Sequence, residues 1–254
     1  MSIRSSPVRT TRFHAFPPAA GVVAGPQVHR DLSACLCARR TEWPRVADRN
    51  GGRGAAVAAR LASAVQFRDG ETGAHLIRVG LYAEALARQL GWGDEVWFGD
   101  LRVAAAIHDV GKLAVPDRVL LKPGSLTAEE SAVMRRHTEI GAAIIGDSDL
   151  PVLRLGQAIA LHHHERWDGT GYPHGLAGEA IPHAARVVAV ADVYDSLVHN
   201  RVYRPPLEEE EALDLMAGRS GSHFDPRVFA GFVDQLAAVR RIRGELRDEA
   251  TALN

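Results

Sequence analysis

Leu76, Val79, Ala83, Leu86 and Leu90 recur at steps of three, four, three and four residues, the spacing of one face of an α-helix. Gly91 follows where a C-terminal stop belongs. The helical pattern starts near residue 55 and continues well past this segment. A second helix is expected over roughly 94–109. Thr127 with Glu130 forms a capping box that opens a third, whose stripe is Val133, His137, Ile140 and Ile144. Pro151 suits the first turn of a fourth, where Leu155 and Ile159 lead to His163. Pro182 precedes a fifth, on which Ala185, Val188, Asp192 and Asp195 share a face; Glu208–Met216 and Pro226–Arg240 complete the set. Alternating β patterns are scarce. Val187–Val190 is short enough for a strand, but the spacing out to His199 favours a helix. The expected fold class is all-α, a multi-helix bundle with long functional loops.

Charge divides the chain. Residues 1–60 carry ten arginines and three acidic residues, whereas residues 61–254 carry 20 basic and 28 acidic ones. The first segment also holds Pro7, Pro17, Pro18, Pro26 and Pro44 and shows no sustained periodicity. It reads as a poorly ordered basic arm or linker, with a domain over 61–245 and a tail over 246–254. The net charge of −1 over 254 residues argues against a DNA-binding chain. No apolar run approaches the roughly 18 residues of a membrane span. Cys35 and Cys37 are too few for a disulfide framework and wrongly spaced for a C-x-x-C pair, so a cytoplasmic location is expected.

Chemistry enters where polar residues interrupt the apolar stripes. His137 lies between Val133 and Ile140, Asp192 four residues after Val188, and His163 four after Ile159. Glu71 and His75 are one turn apart, and His108-Asp109 ends the apolar run Val103–Ile107. Burying one such group without a partner costs several kcal/mol. Five or six around one core make sense if they converge on a cation, as in metal sites built from several helices of a bundle. Histidine and carboxylate ligands suit iron or manganese, and also zinc or nickel. The absence of cysteine ligands argues against a closed structural zinc site. A carboxylate can bridge two cations, and two metals about 3.5–4 Å apart can activate water for in-line attack on a phosphodiester. The residues thus point to a multi-metal hydrolase.

The ordered blocks carry a family resemblance. Glu71-Thr72-Gly73-Ala74-His75 and His108-Asp109-Val110-Gly111-Lys112 are followed by Pro116-Asp117, Lys122-Pro123-Gly124 and Leu126-Thr127. Then come His163-His164-Glu165-Arg166-Trp167-Asp168-Gly169-Thr170-Gly171-Tyr172-Pro173, Ala191-Asp192-Val193-Tyr194-Asp195 and Phe224-Asp225-Pro226. Over about residues 64–236 the chain resembles the HD-GYP family. The resemblance implies an HD-type bundle with a metal site in its core and a GYP loop at its mouth. It implies a cyclic-di-GMP phosphodiesterase that forms pGpG, GMP or both, with two or three divalent ions, iron or manganese. By motif position the metal ligands would be Glu71, His75, His108, Asp109, His137, His163, His164 and Asp192. Asp109 would be the bridge and Glu71 would serve a third metal. Asp109 and Lys112 would be catalytic, with Lys112 on the scissile phosphate. Tyr172, Arg201 and Arg204 would join Lys112 in binding substrate. A diguanylate cyclase partner and a homodimer are also consistent with the family.

Two departures matter. His162 makes a triple histidine where the family pattern has a pair, so either His162 or His164 could take the ligand position. Residues 198–206 are looser than the usual family string, which bears on nucleotide affinity more than on metal binding. Two alternatives follow: an HD-type hydrolase of another nucleotide, or a non-catalytic signalling module that binds a cyclase.

Overall fold

The computed structural model describes residues 52–69, 73–199 and 206–246. Most of the expected arm, the tail beyond Leu246, and the candidate residues Glu71, Arg201 and Arg204 lie outside the described residues. Helices make up most of the described residues, with no strand among them. In chain order the helices are α1 (Arg53–Asp69), α2 (Gly73–Leu90), α3 (Glu95–Ala105), the single turn α4 (Asp117–Leu120), α5 (Ala128–Arg135), α6 (His137–Ile145), α7 (Pro151–His162), α8 (His183–Val198), α9 (Glu209–Ala217), α10 (Pro226–Asp234) and α11 (Leu236–Glu245). Short 3₁₀ turns cover Val110–Ala114 and Gly178–Ala180. No helix among these residues is long and apolar enough to cross a membrane.

Helix α2 is the central element and packs against α3, α8, α10 and α11. Its expected stripe faces the core: Leu76, Val79, Ala83 and Leu86 are fully buried, and Gly91 ends the helix at φ +66°. Burying a leucine of this kind contributes about 1.5–3 kcal/mol relative to leaving it in water. Helix α7 begins with Pro151 in its first turn and packs on α3, α6 and α8. Val187–Val190 is helical, in the middle of α8.

Four expected boundaries move. Helix α1 starts at Arg53, and Ala55 and Ala58 are core residues, so ordered structure begins before residue 60. The second helix stops at Ala105 rather than 109. From there the amide bonds shorten to i→i−3: Ala106 donates to Val103, Ile107 to Ala104 and His108 to Ala105. This tightening leads the chain to Gly111, which lies against α6; a Cβ there would sit 1.9 Å from the His137 carbonyl oxygen. The third helix keeps its Thr127–Glu130 capping box but breaks at Arg136 into α5 and α6. His137 is buried, whereas Ile144, expected on the same stripe, is exposed. The seventh helix likewise divides at Gln235.

Candidate metal centre

The centre lies where the turn after α3 meets α2, α6, the end of α7 and α8. Ligand-capable atoms of Asp109, His137, His163 and His164 lie within 4.8 Å of one another, and so do those of His75, His108 and Asp192. All seven were candidates from the sequence. His164, rather than His162, stands in the first group.

The tautomers follow from what each Nδ1 touches. His108 Nδ1 lies 2.8 Å from the Ala105 carbonyl, and His137 Nδ1 2.7 Å from that of Met134. His163 Nδ1 is 3.0 Å from the Ile159 carbonyl. A carbonyl only accepts, so each Nδ1 carries a proton, and in the neutral imidazole Nε2 then presents the lone pair. Those Nε2 atoms face inward. His137 Nε2 and His163 Nε2 are 3.5 Å apart. Two lone pairs facing each other at this distance repel, and a cation beside them relieves that repulsion. Burial lowers the pKa of His163, and lowers that of His164 further with help from its histidine neighbours. Both are thereby kept neutral, the form that ligates metal.

Asp109 sits between the groups. Its Oδ1 is 3.2 Å from His137 Nε2 and 3.5 Å from His163 Nε2, yet it is buried without a well-directed hydrogen bond. Its Oδ2 is 3.3 Å from His108 Nε2 and 2.9 Å from Lys112 Nζ. One oxygen therefore faces each histidine group, as a bridging carboxylate would need. Burial alone would raise the Asp109 pKa, but the Lys112 ammonium outweighs it and holds the carboxyl well below its usual range. The second group closes with Asp192 Oδ1, 3.6 Å from His75 Nε2 and 3.9 Å from His108 Nε2. The inward nitrogens and the poorly bonded Oδ1 fit divalent cations.

His75 is oriented differently. Its Nδ1 donates to Asp195 Oδ2 at 2.8 Å. Arg78 grips Asp195 with Nε at 2.7 Å and Nη2 at 2.8 Å, and its Nη1 donates to the Leu246 carbonyl at 2.8 Å. Residue 246, expected to begin the tail, is thus tied to the core. His199 adds a contact to Asp195 at 3.2 Å. Asp195 and Arg78 were not among the sequence candidates. The available signal was spacing: Arg78 is three residues after His75, and Asp195 three after Asp192.

The mouth is formed by the loop after α7. Tyr172 stacks on His164, with ring centroids 4.8 Å apart, and the Arg135 guanidinium lies 5.1 Å from the same ring. Burial and the Asp109 charge raise the Tyr172 hydroxyl pKa, so it remains a donor. The loop hangs on Glu165, a buried residue that sequence reasoning also missed. Its carboxylate accepts the His174 amide at 2.8 Å and the Leu176 amide at 3.0 Å. Gly171 must lack a side chain, because a Cβ would sit 2.3 Å from the Arg166 nitrogen. The bond between Tyr172 and Pro173 is cis.

The structure thus defines an all-α protein with a buried histidine–carboxylate centre beneath an ordered loop. The chain belongs to the HD domain family, which its sequence matches over residues 56–228. It is 42% identical over 189 residues to a cyclic di-GMP phosphodiesterase of Thermotoga maritima, covering 74% of this chain and 51% of that protein. It is 45% identical over 186 residues to the cyclic di-GMP phosphodiesterase response regulator RpfG of Xanthomonas campestris, covering 73% and 49%. A 3'3'-cGAMP-specific phosphodiesterase of Vibrio cholerae is 40% identical over 188 residues, covering 74% of this chain and 36% of that protein. The chain therefore spans about half or less of the length of these relatives.

Proposed function

We propose that this chain is a metal-dependent phosphodiesterase that hydrolyses cyclic-di-GMP to pGpG, GMP or both. The observation that carries the reading is Asp109, with one oxygen toward His137 and His163 and the other toward His108. On this reading His137, His163 and His164 would hold one ion, His75, His108 and Asp192 would hold another, and Asp109 would be shared between them. Iron or manganese suits such ligands, and Glu71 would serve a third ion. When bound, the ions supply activation of water and charge stabilisation for in-line displacement at phosphorus.

The chain's own residues do the rest. Lys112, held at the edge of the centre by Asp109, supplies a fixed positive charge for a non-bridging phosphate oxygen. Tyr172 has an imidazole and a guanidinium over its ring, so it offers a ligand its hydroxyl, and its ring once Arg135 swings aside. Arg201 and Arg204 complete the nucleotide contacts, since arginine can both stack on a base and bond two oxygens.

The test is anaerobic assay of the Mn²⁺- or Fe²⁺-loaded protein with cyclic-di-GMP, followed by chromatography. The wild type should consume it and Asp109→Ala should not. Intact substrate with loaded wild type overturns the reading. A second reading, cleavage of 3'3'-cGAMP, is favoured by the similarity to the Vibrio cholerae relative. Competition between equal concentrations of the two dinucleotides separates them.

A further inference from the structure

The triple histidine leaves one imidazole unused. His163 and His164 turn toward Asp109, whereas His162, at the end of α7, turns toward the loop. There, ligand atoms of His162, Glu165 and His174 lie within 4.8 Å of one another. We propose that these three residues form a separate binding site for a transition-metal dication of the zinc class, one that fastens the loop carrying Tyr172 to helix α7.

Three observations support the site. First, Glu165 is 2% exposed, and among the described residues no lysine or arginine pairs with it; its one ion-pair neighbour is His162, at 3.8 Å. A buried carboxylate held by two amides alone leaves its charge uncompensated, and a cation removes that cost. The two amide bonds do not exhaust its lone pairs, so the same oxygens can still ligate. Second, His162 Nδ1 is buried and makes no hydrogen bond. An imidazole nitrogen hidden from water without a partner costs free energy that a metal bond would recover. Third, the donors span both sides of the loop junction: His162 comes from the helix, Glu165 from its exit, and His174 follows the Tyr172-Pro173 pair.

Two imidazoles and one carboxylate are a zinc donor set, with nickel and copper the nearest competitors. Tetrahedral ligands at zinc lie roughly 3.4 Å apart, given bonds near 2.1 Å. His174 is exposed and can turn its ring inward to close the difference. The open position then faces solvent on the His174 side. The site is separate from the Asp109 centre because His163, the intervening residue, is anchored through Nδ1 to Ile159 and faces the other way. Occupancy would stiffen residues 164–177, which hold Tyr172 at the mouth.

The experiment uses the full chain, stripped by chelator and dialysed against buffered Zn²⁺, with bound metal counted by mass spectrometry. Wild type should hold one more equivalent than His174→Ala and one more than His162→Gln. Asp109→Ala should lose ions of the buried centre but keep this one. His174 is exposed, so its substitution leaves the fold intact and a difference reads metal binding directly. Zinc should also slow amide hydrogen exchange over 164–177 more in wild type than in His174→Ala. Equal zinc content and affinity in wild type and His174→Ala would overturn the proposal. Loss of the extra equivalent in Asp109→Ala with retention in His174→Ala would do so as well.

Discussion

The histidines of the metal centre are held by two different means. His108, His137 and His163 are each fixed by a carbonyl three or four residues back in their own segment. His75 is fixed by Asp195, 120 residues away, which is itself gripped by Arg78 across 117 residues. The first kind of support forms as soon as the local turn forms. The second exists only once α2 and α8 have packed, and it places a buried carboxylate behind the imidazole, which raises ligand basicity. The loop at the mouth belongs to the second kind, since its Trp167 and Asp168 amides donate to the carbonyls of His223 and Ser222, far along the chain. Histidines fixed by their own segment should therefore tolerate distant mutations, whereas His75 and the loop should not.

The largest effect should come from Arg78→Met. It leaves Asp195 buried without its guanidinium, a loss of about 3–5 kcal/mol. Urea denaturation should show it as a lower midpoint with an unchanged slope. Next, Asp195→Asn should weaken metal binding in the His75 half by about 10–100-fold while sparing the His137–His163 half. Stepwise titration with a competing chelator reads the two halves separately; equal weakening of both would erase the distinction. Glu165→Gln replaces one acceptor with a donor that faces a backbone N–H. It should cost about 1–3 kcal/mol and speed exchange at the His174 and Leu176 amides.

The last effect concerns pH. His223, whose carbonyl accepts the Trp167 amide, anchors the loop from the far side. Burial lowers its imidazole pKa to about 4. The unfolded chain takes up this proton near pH 6.5, the folded chain only near 4, so stability falls as pH drops through that window. His223→Gln should lack this component, and the stability advantage of wild type over it should shrink from pH 7 to pH 4.

The same contrast explains what the sequence made legible. His137 and His163 could be read because a histidine on an apolar stripe is conspicuous, and both prove buried. Asp192 was legible from the face it shares with Val188. Arg78 was not: an arginine beside an apolar stripe looks solvated, and its burial is decided by Asp195 on another helix. Asp195 was visible as a neighbour of Asp192, but its role depends on a contact 120 residues away. The helix periods were readable, but the break at Arg136 was not. Residues on both sides favour helix, and the interruption occurs where Gly111 meets the first turn of α6. Local periodicity reports a face; it does not report a close approach from elsewhere in the chain.

The central claim is that Asp109 joins two ions. Anomalous diffraction from crystals of Mn²⁺-loaded protein, recorded at the manganese edge, tests it most directly. Two peaks about 3.5–4 Å apart should flank the Asp109 carboxylate, one beside His137 and His163 and the other beside His75 and His108. A single peak, or peaks that leave Asp109 outside the coordination of either ion, would contradict the account.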